Sequence, residues 1–174
     1  MSFIHGLLGI KKPATQSHDP RAIQAIRQRL ETLDEDEARY LAAFAYVLAR
    51  VAYADLEVDP DEVAAMQRLV CDHTELEGDK ADLVVNIATA QARELGGTQD
   101  FVVSKLLKGL TTAEQRLQIL DCLLAVAAAD DLIVGEEERE MRKVARELGI
   151  TDKDFLSALS RYRDKRSVLK DWPS

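Results

Sequence analysis

Along most of the chain the apolar residues recur every three or four positions, the spacing of one buried helical face. Nowhere do they alternate in the two-residue period of a half-buried strand. The clearest stripe is Leu41, Phe44, Ala45, Leu48, Val51 and Ala52. Helix start and stop signals divide the pattern into eight predicted helices. Asp19-Pro20 supplies an N-cap and a first-turn proline for a helix reaching about Leu33. Asp34 with Glu37 has the capping-box spacing for a second, running to about Asp55. Asp59-Pro60-Asp61-Glu62 opens a third, with Met66, Leu69 and Val70 inward. The stretch 78–95 holds Leu83, Val84, Ile87, Ala88 and Leu95 and stops at Gly96-Gly97. A short fifth helix spans Thr98 to Leu110. Thr111 or Thr112, with Glu114 near, opens a sixth through about Asp130. The seventh, Glu136 to Leu148, is stopped by Gly149, and Thr151 with Asp154 caps an eighth through about Arg163. The expected fold is all-α, a compact bundle of about seven or eight helices joined by short loops.

Composition agrees with this expectation. With 174 residues the chain fits about one domain, and 47% hydrophobic with 31% charged residues is ordinary for a globular protein. Aromatics are few at 5%, and Gly and Pro together number only 12, which favours helices over sandwiches or barrels. No apolar run reaches the roughly 18 residues that span a bilayer. Met1–Ile10 is apolar but short, and Lys11 and Lys12 follow it instead of preceding it, so it does not have the form of a secretory signal. Residues 1–18 are expected to be a mobile arm, 19–163 the helical domain, and 164–174 a basic tail. Cys71 and Cys122 have no CxxC spacing and read as reduced thiols in or near the core, in keeping with a cytoplasmic location. The net charge of −8 argues against nucleic acid as a partner. The run Arg161, Arg163, Lys165, Arg166 and Lys170 suits a helix C-terminus, or weak contact with an acidic partner or membrane surface; the arm's apolar tip offers a similar contact.

The chain repeats internally. Shifted by 75 residues, 44–69 and 119–144 match at seven of 26 positions: Leu48/Leu123, Val51/Val126, Ala52/Ala127, Ala54/Ala129, Asp55/Asp130, Glu62/Glu137 and Met66/Met141. Helical periodicity readily gives the apolar matches, but not an Asp and a Glu seven apart in both copies. A pseudo-two-fold arrangement of helix pairs around 36–73 and 112–148 is therefore expected.

Both acids continue apolar stripes. Asp55 follows Leu48 and Val51, Asp130 follows Leu123 and Val126, and Glu62 and Glu137 each lie four residues before a Met. Carboxylates turned partly from water need a cation, a donor or a proton. Two readings stand. In one, Asp55, Glu62, Asp130 and Glu137 bind a divalent cation, with Glu57, Asp59 and Asp131 as additional donors; oxygen ligands favour Ca²⁺, Mg²⁺ or Mn²⁺ over Zn²⁺. In the other they cap helices and form ion pairs, with Asp55 reaching Arg50 or Arg68. Asp55-x-Glu57-x-Asp59 is not an EF-hand loop, because Pro60 stands where Gly is needed and Met66 where the closing Glu belongs.

Ala54-Asp55-Leu56-Glu57-Val58-Asp59-Pro60-Asp61-Glu62 and Ala129-Asp130-Asp131-Leu132-Ile133-Val134-Gly135-Glu136-Glu137 resemble the A-D-G-x-[IV]-x-x-x-E signature of TerB-like domains, named for a tellurite-resistance protein. The resemblance covers about 36–160. It implies an all-helical domain of two pseudo-symmetric helix sets, a metal site at the motif acids Asp55, Glu62, Asp130 and Glu137, and a stress-linked interaction module in place of an enzyme. The glycine after the Asp is here Leu56 in one copy and Asp131 in the other. The resulting expectation is a non-catalytic scaffold that binds an unidentified partner protein, and a divalent cation through the acidic motifs. The alternative is a purely protein-binding helical module, and in either case the amphipathic helices allow a homodimer. An enzyme reading lacks support, since the Glu-x-x-His of a di-iron site fails at Val70/His73 and no nucleophile elbow or phosphate loop occurs.

Overall fold

The computed structural model describes residues 20–52, 60–91, 100–129, 133 and 135–162. Among them the fold is all-α. Eight helices follow in order: α1 Pro20–Glu31, α2 Glu35–Ala52, α3 Pro60–His73, α4 Gly78–Gln91, α5 Asp100–Leu110, α6 Ala113–Ala128, α7 Gly135–Glu147 and α8 Asp152–Ser160. The arm, the tail 164–174 and the stretches with Asp55, Glu57, Asp59, Asp130 and Asp131 lie outside the described residues.

The centre of the bundle is α2. Every residue from Leu41 to Val51 is buried, so this helix is enclosed around its whole circumference, more than the single stripe expected of it. Packed around it are α4, α5, α6 and α7. The second half of α6 is almost as enclosed, with Ile119, Leu120 and Cys122 through Ala128 buried. Against it lie α3, α7 and α8. One hydrophobic cluster extends from Ile26 on α1 to Leu159 on α8 and includes the fully buried Phe44 and Phe155. Truncating either ring to Ala would cost about 3–5 kcal/mol.

The helix ends follow local chemistry. Thr112 caps α6 in a reciprocal box: its Oγ1 accepts from the Gln115 N–H at 3.1 Å while its own N–H donates to Gln115 Oε1 at 2.9 Å. The partner is Gln115, and not Glu114, because the third helical position is counted from Thr112. Thr151 caps α8 by accepting from the Asp154 N–H at 3.1 Å. At the end of α7, Gly149 has φ +76°, its N–H donates to Arg146 O at 2.9 Å, and the Ile150 N–H donates to Ala145 O at 2.8 Å. This is the left-handed glycine stop expected there.

Three ends differ from expectation. After Glu31 the Thr32 and Leu33 amides bond to Arg29 O and Leu30 O, three residues back, so α1 tightens and stops before Leu33. The same tightening at Arg161 and Tyr162 ends α8 at Ser160, short of Arg163. At α2, Asp34 Oδ2 accepts from the Asp36 N–H at 3.2 Å, but Glu37 reaches away to Lys80 Nζ on α4 instead of completing a capping box. A charged partner across the bundle outcompetes a cap that water can also satisfy.

Candidate functional site

The pairs α2–α3 and α6–α7 carry the sequence repeat, and α3 and α7 begin at Pro60 and Gly135, 75 residues apart. The ends of α2 and α6 and the starts of α3 and α7 surround one cavity of about 280 Å³. Its walls are Val51 and Ala52 from α2, Val126 and Ala127 from α6, and Ala65, Met66 and Leu69 from α3, with Ala129 just past the end of α6. Asp61, Glu62 and Glu137 bring carboxylates to it. The small residues leave the space: four alanines line it where larger side chains would close it. Val51/Val126, Ala52/Ala127 and Glu62/Glu137 are repeat-related pairs, so residues matched in sequence meet across a single cleft.

The expected placement of the glutamates needs correction. Glu62 is exposed and Glu137 is only half-buried, whereas the helical spacing places both on inward stripes. The reason lies in their position on the helix. Each falls in a first turn, at the rim of the bundle, and the apolar face closes over only from Met66 and Met141 onward. The N-terminal ends of α3 and α7 add their positive dipole ends to the acidic rim, which favours carboxylates and holds Asp61, Glu62, Glu136, Glu137 and Glu138 in the first turns. Among the described residues no three His, Cys, Asp or Glu side chains gather closely enough to hold a metal ion. Asp55, Asp130, Glu57, Asp59 and Asp131 lie outside those residues, so Glu62 and Glu137 are the members of the expected donor set that the structure places, with Asp61 beside them. At roughly 30 Å³ per water, the cavity has room for a cation with several waters of its shell.

Next to the cleft lies a buried charged cluster that the sequence reading missed. Arg50, with a side chain only 3% exposed, is one residue before Val51. Its Nε donates to Glu140 Oε1 at 2.9 Å, and Nη2 pairs with the same oxygen. Nη1 donates to Glu147 Oε2 at 2.9 Å and to Ser104 Oγ at 3.1 Å. Asp100 Oδ2 stands 3.7 Å from Arg50 Nε and 3.9 Å from Lys143 Nζ, and Asp100 Oδ1 accepts from the Tyr46 hydroxyl at 2.9 Å. Burial alone would lower the Arg50 pKa, but the bonds to Glu147 and Glu140 outweigh it and drive the value up. The Tyr46 hydroxyl is also pushed up, first by burial and then by its bond to Asp100. A signal for this cluster was present: Leu41–Ala49 contains no charge, so an Arg at its end on an enclosed helix had to find buried acids.

A second polar node joins three elements at Asp121 on α6. His73 Nδ1 at the end of α3 lies 2.7 Å from Asp121 Oδ2, and Arg161 lies 3.5 Å from Oδ1. The Tyr162 hydroxyl is 3.4 Å from both the Asp121 backbone oxygen and Oδ1. Burial, followed by the charge of Asp121, raises the Tyr162 hydroxyl to about 12 and the neighbouring Cys122 thiol to about 12. Cys122 is buried and Cys71 is partly buried, both as free thiols, as expected. No described helix is long and apolar enough to cross a membrane.

Comparison with known families places this arrangement. The family model described as tellurite resistance protein TerB matches residues 40–160, which run from within α2 to the end of α8 and include every residue lining the cleft. No curated protein and no solved structure matches the chain.

Proposed function

The chain belongs to the tellurite resistance protein TerB family, and we propose that it acts within it as a non-catalytic scaffold of stress responses, taking up a divalent cation at the acidic cleft and engaging a partner protein. The observation that carries the reading is the meeting of Glu62 and Glu137, repeat-related acids 75 residues apart, on one cavity with Asp61 beside them. Oxygen donors of this kind take hard cations, so Ca²⁺, Mg²⁺ or Mn²⁺ is the ion, with Asp55 and Asp130 completing the set from the two motifs. An ion held by both motifs would tie the start of α3 to the start of α7 and fix the shape of the surface around the cleft, which is the surface offered to the partner.

A second reading keeps the protein-binding role without a metal. What favours it is the placement of Asp61, Glu62 and Glu137 in helix first turns, where the backbone amides alone stabilise carboxylates. Thermal unfolding separates the two. Wild-type protein is melted in EDTA and in millimolar Ca²⁺, Mg²⁺ or Mn²⁺, and the series is repeated with Asp55→Asn and Asp130→Asn. The cation reading expects a rise of several degrees in wild type, from preferential binding to the folded state, and its loss in both variants. An unchanged midpoint in wild type removes the cation, and the variants then simply melt lower in every buffer.

A further inference from the structure

We infer that Arg50 is the positioning residue of the cleft: by gripping Glu140 and Glu147 it fixes α7, and with it Glu137, against the end of α2. Glu137, Glu140, Val144 and Glu147 succeed one another at steps of three and four, so they share one face of α7. Arg50 holds the second and fourth of these, and Val144 between them is fully buried. The grip is specific to a guanidinium. Its planar fork reaches Glu140 from Nε and Nη2 while Nη1 serves Glu147 and Ser104 at once, which an ammonium cannot do. Arg50 is itself anchored within an enclosed stretch of α2, and its neighbour Val51 forms the cleft wall. One side chain thus sets the relation between the wall of the cleft and the carboxylate facing it. The metal consequence rests on the cation reading above; the mechanical one does not.

Amide hydrogen exchange on the full chain tests this, with R50K and E147Q beside wild type and Mn²⁺ as the probe ion. Both variants should keep the helix content of wild type. Amides of α7 should exchange at least about tenfold faster, while those of α1 and α4 stay within about twofold. The Mn²⁺ concentration needed for half of the stabilisation should rise about tenfold. A uniform acceleration in all helices, or an unchanged α7, overturns the proposal, since the first is what a generally structural arginine would give. If R50K does not fold, E147Q decides, because it leaves the bond to Glu140 in place. If wild type does not respond to Mn²⁺, the cation reading fails, while the exchange pattern of α7 still decides the role of Arg50.

Discussion

Arg50 donates from Nη1 to Glu147 Oε2 at 2.9 Å across a separation of 97 residues, with the two side chains 3% and 9% exposed. Two ions so far removed from water attract each other strongly, but each has also given up its hydration. The pair therefore adds little to net stability compared with an apolar replacement, yet makes the loss of either partner alone expensive.

From this follows an asymmetry in mutants. Glu147→Ala should destabilise by about 3 kcal/mol, since the arginine keeps its charge and loses a buried partner. Arg50→Met combined with Glu147→Met should cost less than the two single changes added together. Urea unfolding of the four proteins of the cycle measures the difference. The cost of Glu147→Ala should also persist at high salt, unlike that of exposed pairs such as Glu35–Arg39.

Gly149 tests the stop of α7. At φ +76° an alanine pays the left-handed penalty, about 1–2 kcal/mol, and its Cβ would come within 2.8 Å of Lys108 Cε. That side chain can swing away, so the backbone sets the cost. Gly149→Asn should therefore lose less than Gly149→Ala, because asparagine tolerates this conformation better. The order of the three melting temperatures checks this.

Alkaline pH should unfold the protein through groups that the fold keeps protonated. Burial raises Cys122 from 9.0 to about 12, and Tyr40 and Tyr162 from 10.0 to about 12. The unfolded chain releases these protons first, so the stability they carry is complete below about pH 9 and lost as pH rises toward about 12. Taken as the difference between wild type and Tyr40→Phe, the tyrosinate absorbance of Tyr40 should rise together with the loss of helical circular dichroism, and not well before it.

The same burial predicts thiol reactivity. Cys122 is fully buried and its thiolate is suppressed, whereas Cys71 is only partly covered. A thiol reagent near neutral pH should label one site per chain in the folded protein and two in denaturant, with the folded label at Cys71 by peptide mapping.

The residues that were easy to read are those whose physics is local. Thr151, Gly149 and the proline opening α3 act on amides within a few positions, so the sequence alone places those helix ends. Glu37 and Arg50 show the opposite. Glu37 has capping-box spacing, but its partner Lys80 is 43 residues away, and Arg50 answers to acids 90 and 97 residues on. Such partners exist only after the helices have packed. At the cleft, the repeat brought the right residues together on paper: Glu62 and Glu137 do line one cavity. Their depth is not legible in the sequence, because periodicity gives the direction of a side chain around the helix and says nothing about where the bundle ends along it.

The enclosure of α2 has a consequence for how the chain comes to be folded. This helix lies in the first half of the chain, yet α5, α6 and α7, which cover much of it, come later in the sequence. Neither half can bury it alone. A fragment ending near Gln91 would present a long greasy rod to water, and the remainder would lack its axle. The two pieces should be inert separately and reassemble when mixed, and on the ribosome the first half must wait, unfolded or chaperoned, until α7 has emerged.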